Sequence, residues 1–423
     1  MSSQDSGQQS AISAFHDDEI VVDLNDRDFV RRELEALGVE VSQSRESQAL
    51  DLELLRLSGL AAAIDAYGRE DLESSMRTAG AGVYRPEDRY TDLDLLLFHL
   101  RKRAEERPEY AEHKPVFGKN RFLGGVWGSP HIGGDEIDPV LAGRVSLPQR
   151  GEQNPCSKRI GVLDTMTFPH ENLDGRYLTA GEALFPRNIT GLPSTTAHAT
   201  FVIGVVAQQA PNAEIIVRSV LDQSGTASAW DVAQEMVAFR DAGVDILNMS
   251  FASVTDDDEP PLVLQRAVER LSPDVLLIAA AGNHGSLFQP LRYPKMTAQT
   301  PVWPAALPGV VAVGALAEDG KRAAFSPALP WVDRQAPGVG LRSTFLSKGV
   351  RIAHRDENGG LNVALIETSF GDPGYAKWSG TSFAAAYYSG QVAALAEREC
   401  IPVREAHDRF PRPPWQTEEP YTA

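Results

Sequence analysis

Beyond Arg159 the chain settles into one repeating pattern, which constrains its fold more than any other feature. Short, mostly apolar runs alternate with helical segments. Ile160–Leu163 reads as a buried strand, His198–Gln209 as an apolar helix and Glu214–Val220 as a strand. Ser228 can cap a helix running to Gly243, followed by a strand at Val244–Ser250 and a helix at Pro261–Leu271. Strands at Val275–Ala281 and Val310–Leu316 continue the series. Continuous apolar strands alternating with helices predict a doubly wound α/β domain, its mainly parallel sheet covered on both faces. Such sheets bind ligands at the carboxyl ends of their strands. The residues just after each strand are therefore the first place to look for chemistry.

Upstream of this region the pattern differs. The first 17 or so residues are polar and rich in Ser and Gln, a composition expected to be disordered. Glu19–Leu24 alternates like a strand, Asp26 can cap a helix over Asp28–Leu37, and Val39–Ser42 reads as a second strand. A helical stretch is expected through Leu50–Tyr67. Thr91 opens an amphipathic helix with acids early and bases late, as the macrodipole prefers, and Pro108 limits it. Residues 18–110 are thus predicted to form a small α+β unit. Residues 111–158, dense in Gly and Pro, read as linker or wrapping chain. The main domain is expected over 159–400, with 401–423 as a tail.

Charge and cysteine usage exclude several functions. The chain has 423 residues, 58 acidic against 40 basic, for a formal charge of −18. That balance argues against nucleic-acid binding and against docking on anionic membranes. With 42% hydrophobic and 23% charged residues the chain can build a sizeable core. Only Cys156 and Cys400 are present, which excludes a disulfide-stapled scaffold. They are expected to be unpaired thiols in a reducing compartment. No basic, apolar leader opens the sequence, and no run nears the ~18 apolar residues needed to span a bilayer. The expected setting is the cytoplasm.

Three segments place reactive side chains at the ends of these elements. Asp164 follows the strand in RIGVLDTM, His198 opens the helix in TTAHATFVIGVV, and Ser382 opens another in YAKWSGTSFAAAYYSG. Acid, base and nucleophile in the order Asp, His, Ser match one known triad order. A hydroxyl is a weak nucleophile until an imidazole takes its proton. The imidazole in turn needs a carboxylate to fix its tautomer.

With their flanks ILNMS, AAAGNHG, VWPAALPGVVAVGA and SGTSFAAAYYSGQVAAL, these segments resemble the subtilisin-like serine proteases over about residues 156–400. The resemblance implies that Asp164 orients, His198 is general base then acid, and Ser382 forms the acyl-enzyme. Asn283 matches the side-chain donor of the oxyanion hole, with the Ser382 N–H as second donor. Ser250, Phe251 and Ala252, with Ala280, Ala281 and Gly282, correspond to the walls of the peptide cleft. No organic cofactor or required metal is implied, and the family's structural calcium sites stay open. Partners would be peptide or protein substrates.

Other features add detail. Met166, Ala199 and Ala386 stand where the family has Gly, Gly and Pro, and the first two are expected to add bulk beside the cleft. The run Asp256-Asp257-Asp258-Glu259 follows a cleft strand, so an acidic rim favouring basic peptides is expected. Leu341–Phe370 reads as an inserted hairpin near the site, turning at Asn358-Gly359-Gly360. His131, His170 and His284 are expected to be surface or hydrogen-bonded groups. The N-terminal unit fits either a removable propeptide or a permanent accessory domain. The whole reads as a selective intracellular endopeptidase, the alternative being a pseudoprotease that only holds peptides.

Overall fold

The computed structural model describes residues 15–79, 90–124, 139–151, 154–181, 183–186, 189–222, 225–255, 257–285, 297–355 and 361–415. His131, Asp256 and the turn at Asn358-Gly359-Gly360 lie outside these described residues. The chain forms two compact units. One comprises residues up to Phe122 with Ser228–Gln234 and Thr255–Ala267, the other the remainder.

The first unit contains strands β1 (Phe15–Asp23), β2 (Glu40–Ser47), β3 (Leu52–Ser58) and β4 (Phe117–Gly124). Helices α1 (Arg27–Leu37), α2 (Leu60–Tyr67), α3 (Arg69–Thr78) and α4 (Asp92–Glu105) accompany them. The strands run in the order β2-β3-β1-β4, each paired antiparallel with its neighbour. Ile20, Val22, Leu55, Leu57 and the helix residues Phe29, Leu34, Leu96 and Leu100 make its core. α4 starts where its capping sequence says it should. Thr91 Oγ1 accepts from Asp94 N at 3.2 Å while the Asp94 carboxylate accepts from Thr91 N at 2.9 Å.

Several expectations for this unit are corrected. Leu50–Tyr67 is not one helix. Leu52–Ser58 pairs on both sides as β3, and burial of its leucines between β1 and β2 overrides their helical propensity. β2 extends to Ser47 although its side chains are mostly exposed, so no apolar alternation marks its second half. Strand β1 already begins at Phe15. Asp26 sits at the start of α1, but its carboxylate accepts from Val116 N at 2.8 Å rather than capping the helix. Part of the supposed linker is β4. Its Lys119, Asn120 and Arg121 are buried, and each is bonded: Lys119 to Asp94 at 2.6 Å, Asn120 to Glu19 at 2.6 Å, Arg121 to Asp257 at 2.5 Å. Buried polar groups require such partners.

In the second unit the chain runs β5 (Val140–Leu141), β6 (Arg159–Asp164), β7 (Tyr177–Ala180), α5 (His198–Gln209) and β8 (Glu214–Ser219). It continues through β9 (Thr226–Ser228), α6 (Ala229–Asp241), β10 (Ile246–Met249), α7 (Leu262–Leu271), β11 (Leu276–Ala280) and β12 (Val310–Leu316), with α6 up to Gln234 and α7 up to Ala267 counted in the first unit. Then come β13 (Arg334–Pro337), β14 (Leu341–Phe345), β15 (Val350–Arg355), β16 (Leu361–Thr368), β17 (Gly374–Trp378), α8 (Thr381–Glu399) and α9 (Val403–Asp408). The main sheet is parallel throughout, in the order β13-β12-β11-β10-β6-β8-β7. It is the doubly wound α/β sheet that the apolar runs predict; its inner strands are mostly buried, and the edge strand β7 is not.

Two buried helices meet this sheet's core. α5 and α8 pack together, and Phe201, Val202, Val205, Phe383, Ala384, Ala385 and Val392 all lie in the central cluster. Strand β14 docks on α5 through Ser343 Oγ to Phe201 O and Thr344 Oγ1 to Thr200 O, both 2.8 Å. Only glycine fits at position 204 on that face, because a Cβ would come within 2.2 Å of Ser343 Oγ. The hairpin β15–β16 forms as expected from its two strands, and Arg351 N donates to Leu192 O at 2.8 Å. The insertion is thus anchored six residues before His198.

The cysteines overturn the expectation of free thiols. Cys156 and Cys400 form a disulfide across a sequence separation of 244, with Cα atoms 5.1 Å apart. Such a contact between residues far apart in sequence leaves no local signal. The supposed tail also carries structure, since α9 buries Val403 and Ala406.

Candidate active site

Each of the triad candidates terminates or starts an element. Asp164 is the last residue of β6 and is fully buried. His198 is the first residue of α5, 2% exposed. Both carboxylate oxygens of Asp164 lie 2.8 Å from His198 Nδ1. Thr165 ties the two elements together: its N–H donates to Asp164 Oδ1 at 2.7 Å, and its hydroxyl accepts from Ala199 N at 3.1 Å. With Nδ1–H facing the carboxylate, Nε2 is left as the basic nitrogen. The ring is held by Trp378 and Phe383, with centroids at 5.9 and 5.4 Å.

Ser382 lies in the first turn of α8, where backbone N–H groups lack intrahelical partners and the macrodipole favours negative charge. Its hydroxyl donates to Ser250 O at 3.0 Å, and no hydrogen bond joins it to His198. The structure therefore brings Asp164 and His198 together directly, and shows Ser382 bonded to the carbonyl of Ser250, the residue after β10.

Asn283 stands three residues beyond the end of β11. Gly282, with φ of +85°, turns the chain there, a conformation that disfavours any side chain. Asn283 Oδ1 accepts from both Thr381 N and Thr381 Oγ1 at 2.9 Å. Its Nδ2 is buried and has no hydrogen-bond partner among the described residues. An amide locked by its oxygen and free at its nitrogen is a donor waiting for an acceptor.

The residues assigned to the cleft walls are mostly buried. Ser250, Phe251, Ala280 and Ala281 are 2% exposed or less, and Ala252 is half-buried. Only their backbone, with Ala252, can face a ligand. Ala199 and Ala386 are fully buried, so neither adds bulk to an open cleft, contrary to expectation for Ala199; Met166 is half-buried against the core. His284 is buried with Nε2 donating to Thr300 O at 2.9 Å, and burial pushes its pKa down to about 4. His170 is likewise buried, bonded to Gly374 O at 2.9 Å, with its pKa lowered by burial.

In the first unit, Asp257 of the acidic run is taken by Arg121, and burial together with Asp257 raises the pKa of Asp258. Among the described residues, His16, Asp18 and Glu19 form a cluster of metal-ligand types. Arg56 already pairs with Glu19 at 2.6 Å and Asp18 at 3.5 Å, so that cluster is charge-compensated without a cation. The sequence reading missed Thr165, Thr381 and Trp378 as supporting groups. All three lie inside the motifs that carry the resemblance, where adjacency to the reacting residues was the available signal.

Residues 159–401 match the profile of the Subtilase family, Peptidase_S8. The chain is 28% identical over 263 residues to the "Thermophilic serine proteinase" of Bacillus sp. (strain AK1), covering 59% of this chain and 55% of the relative. It is 32% identical over 196 residues to the "Thermostable alkaline protease" of Halalkalibacterium halodurans, covering 44% and 49%. The chain thus spans about half the length of these relatives. The solved "Structure of Prenylagaramide maturation protease PagA" aligns with a TM-score of 0.46 and 23% identity, over 63% of this chain and 88% of that one. No helix among the described residues is long and apolar enough to cross a membrane. With the family profile covering the whole parallel sheet, α5 and α8, the chain belongs to the subtilase family.

Proposed function

We propose that the protein is a serine endopeptidase that cleaves peptide bonds through an acyl-enzyme on Ser382. The observation that carries this reading is the buried Asp164–His198 contact of 2.8 Å beside a helix N-terminus holding Ser382. His198 Nε2 takes the proton of Ser382 Oγ as that oxygen attacks the scissile carbonyl. Asp164 holds the imidazole in the required tautomer and stabilises its cation. The developing oxyanion accepts from Asn283 Nδ2 and from Ser382 N–H. His198 then gives its proton to the leaving amine, and water hydrolyses the ester by the same path in reverse. No metal or organic cofactor enters these steps. For the attack, the hydroxyl rotates from Ser250 O towards His198.

Hydrolysis of a peptide library tests this. Ser382→Ala and His198→Ala should each lower turnover by several orders of magnitude, and the double variant should lose little more, since the residues act as a unit. Normal turnover in Ser382→Ala would refute the nucleophile assignment. A second reading, a protein that holds peptides without cutting them, is favoured by the Ser382 bond to Ser250 O. Peptide binding with no turnover by the wild type would select it.

Selectivity for a particular substrate peptide is proposed to come from the hairpin β15–β16, anchored at Leu192 close to His198 in sequence. The N-terminal unit is proposed as either a removable propeptide or a permanent accessory domain. Shortening of the wild type, but not of Ser382→Ala, within residues 118–156 would select the propeptide; a fully active, intact wild type would select the accessory domain. A cytoplasmic setting would keep Cys156 and Cys400 reduced, whereas the bridged pair suits an oxidising compartment. Counting alkylated thiols in protein taken directly from cells decides between the two.

A further inference from the structure

Beneath the proposed nucleophile lies a chain of polar side chains that the triad mechanism does not use. Asn248, Ser250 and Ser389 are each fully buried. Asn248 is on β10, in the middle of the sheet, between β6 and β11. A buried amide in an apolar sheet is costly unless its groups are bonded, and both ends of this one are. Ser389 Oγ donates to Asn248 Oδ1 at 3.1 Å, and Asn248 Nδ2 donates to Ser250 Oγ at 2.9 Å. Ser250 Oγ then donates to Ser382 O at 2.8 Å, and Ser382 Oγ returns a bond to Ser250 O at 3.0 Å.

The spacing makes this a closed circuit. Asn248 is on β10 and Ser250 directly follows its last residue, Met249, while residues 382 and 389 share one face of α8 about two turns apart. The end of β10 and the residue after it are therefore bonded to two residues of α8, with Ser382 at the outer end. Ser389 fixes the orientation of the Asn248 amide, so that its nitrogen rather than its oxygen faces Ser250. Ser250 in turn holds the backbone of the nucleophile and receives its hydroxyl.

We propose that Asn248 is a positioning residue for the nucleophile: through Ser250 it sets the backbone of Ser382 and the resting direction of its hydroxyl. This rests on the reading of Ser382 as the nucleophile. Losing Asn248 would leave the Ser389 hydroxyl without its acceptor and remove the donor that orients the Ser250 hydroxyl, so that the Ser250 bond to Ser382 O is no longer held in one direction and Ser382 can adopt unproductive positions. The bland alternative is a polar ladder that only fastens α8 to the sheet.

The test is the kinetics of covalent labelling of the full chain by a fluorophosphonate, which separates reversible binding (KI) from bond formation (kinact). Asn248→Ala should lower kinact about tenfold, equivalent to about 1.4 kcal/mol in barrier, with KI within about twofold of wild type. A wild-type kinact, with or without a lower melting temperature, would overturn the proposal, as would a change confined to KI. If Asn248→Ala does not fold, Ser389→Ala decides on the same readout. A fall of two- to threefold in kinact supports the proposal, and an unchanged kinact overturns it. Absence of labelling in the wild type would instead remove the nucleophile reading itself, and this proposal with it.

Discussion

Reducing the Cys156–Cys400 bridge should destabilise the second unit strongly while leaving its chemistry in place. The bridge spans 244 positions, and the chain-entropy relation for a closed loop of that size gives about 5.5 kcal/mol at 25 °C as an upper value. The native junction does not depend on the bridge alone. Glu397 Oε1, one turn before Cys400, accepts from Ser157 Oγ at 2.9 Å, Asn154 Nδ2 at 3.1 Å and Asn212 Nδ2 at 3.2 Å. Asp164 is further fixed because β6 is paired on both sides, by β8 and β10. The loss should therefore appear in the unfolding equilibrium and not at the site. Urea unfolding of Ser382→Ala protein, which cannot digest itself, should be compared with and without Cys156→Ser. With a slope of about 3 kcal/mol/M, the full effect moves the midpoint by roughly 1.8 M. Peptide hydrolysis by Cys156→Ser in otherwise wild-type protein should stay within about twofold below the transition. Equal midpoints would refute the bridge. A large loss of turnover in folded Cys156→Ser would refute the claim that Glu397 and the sheet hold Asp164 without it.

Other outcomes follow from single groups. Asn283→Ala should lower kcat by ~10²–10³ with KM nearly unchanged, a magnitude taken from subtilisin, itself a member of this family; a pure KM effect would remove Asn283 from the oxyanion hole. His284 has a folded pKa of about 4 against about 6.5 unfolded, so the unfolded chain binds more protons between these values. Stability from this group is fully present above about 6.5 and is lost as pH falls towards 4, by about 2 kcal/mol between pH 7 and 5. Urea midpoints at the two pH values measure this, and His284→Gln should reduce the difference. With Asp257 taken by Arg121, replacing Asp258 and Glu259 by Asn and Gln should lower kcat/KM for Lys/Arg peptides by no more than about threefold. That difference should shrink as salt rises, and a loss shared by neutral peptides would show the loop acting through structure.

What the sequence made legible is tied to burial of one kind. Strands β6, β8, β10, β11 and β12 are mostly apolar because helices cover both sheet faces, so their runs announce themselves. Asp164, His198 and Asn283 could be found because each stands at the edge of such a run. The α4 start was readable because Thr91 and Asp94 sit at capping-box spacing. Strand β4 was not, since Lys119, Asn120 and Arg121 are buried as ions and amides whose partners are distant in sequence. Leu52–Ser58 misled for the opposite reason: a leucine-rich run fits helix or strand alike until its neighbours are known. The Cys156–Cys400 bridge, the bond from Ser382 to Ser250 O and the Ser389–Asn248 contact join residues 132 or more positions apart. No local pattern encodes them.

The central claim is that Ser382 is an activated nucleophile. Intact-protein mass spectrometry after fluorophosphonate treatment, followed by peptide mapping, tests it most directly. One adduct per chain is predicted, on Ser382, formed far more slowly in His198→Ala and absent in Ser382→Ala. An unmodified wild type, or an adduct that persists undiminished in Ser382→Ala, would contradict it.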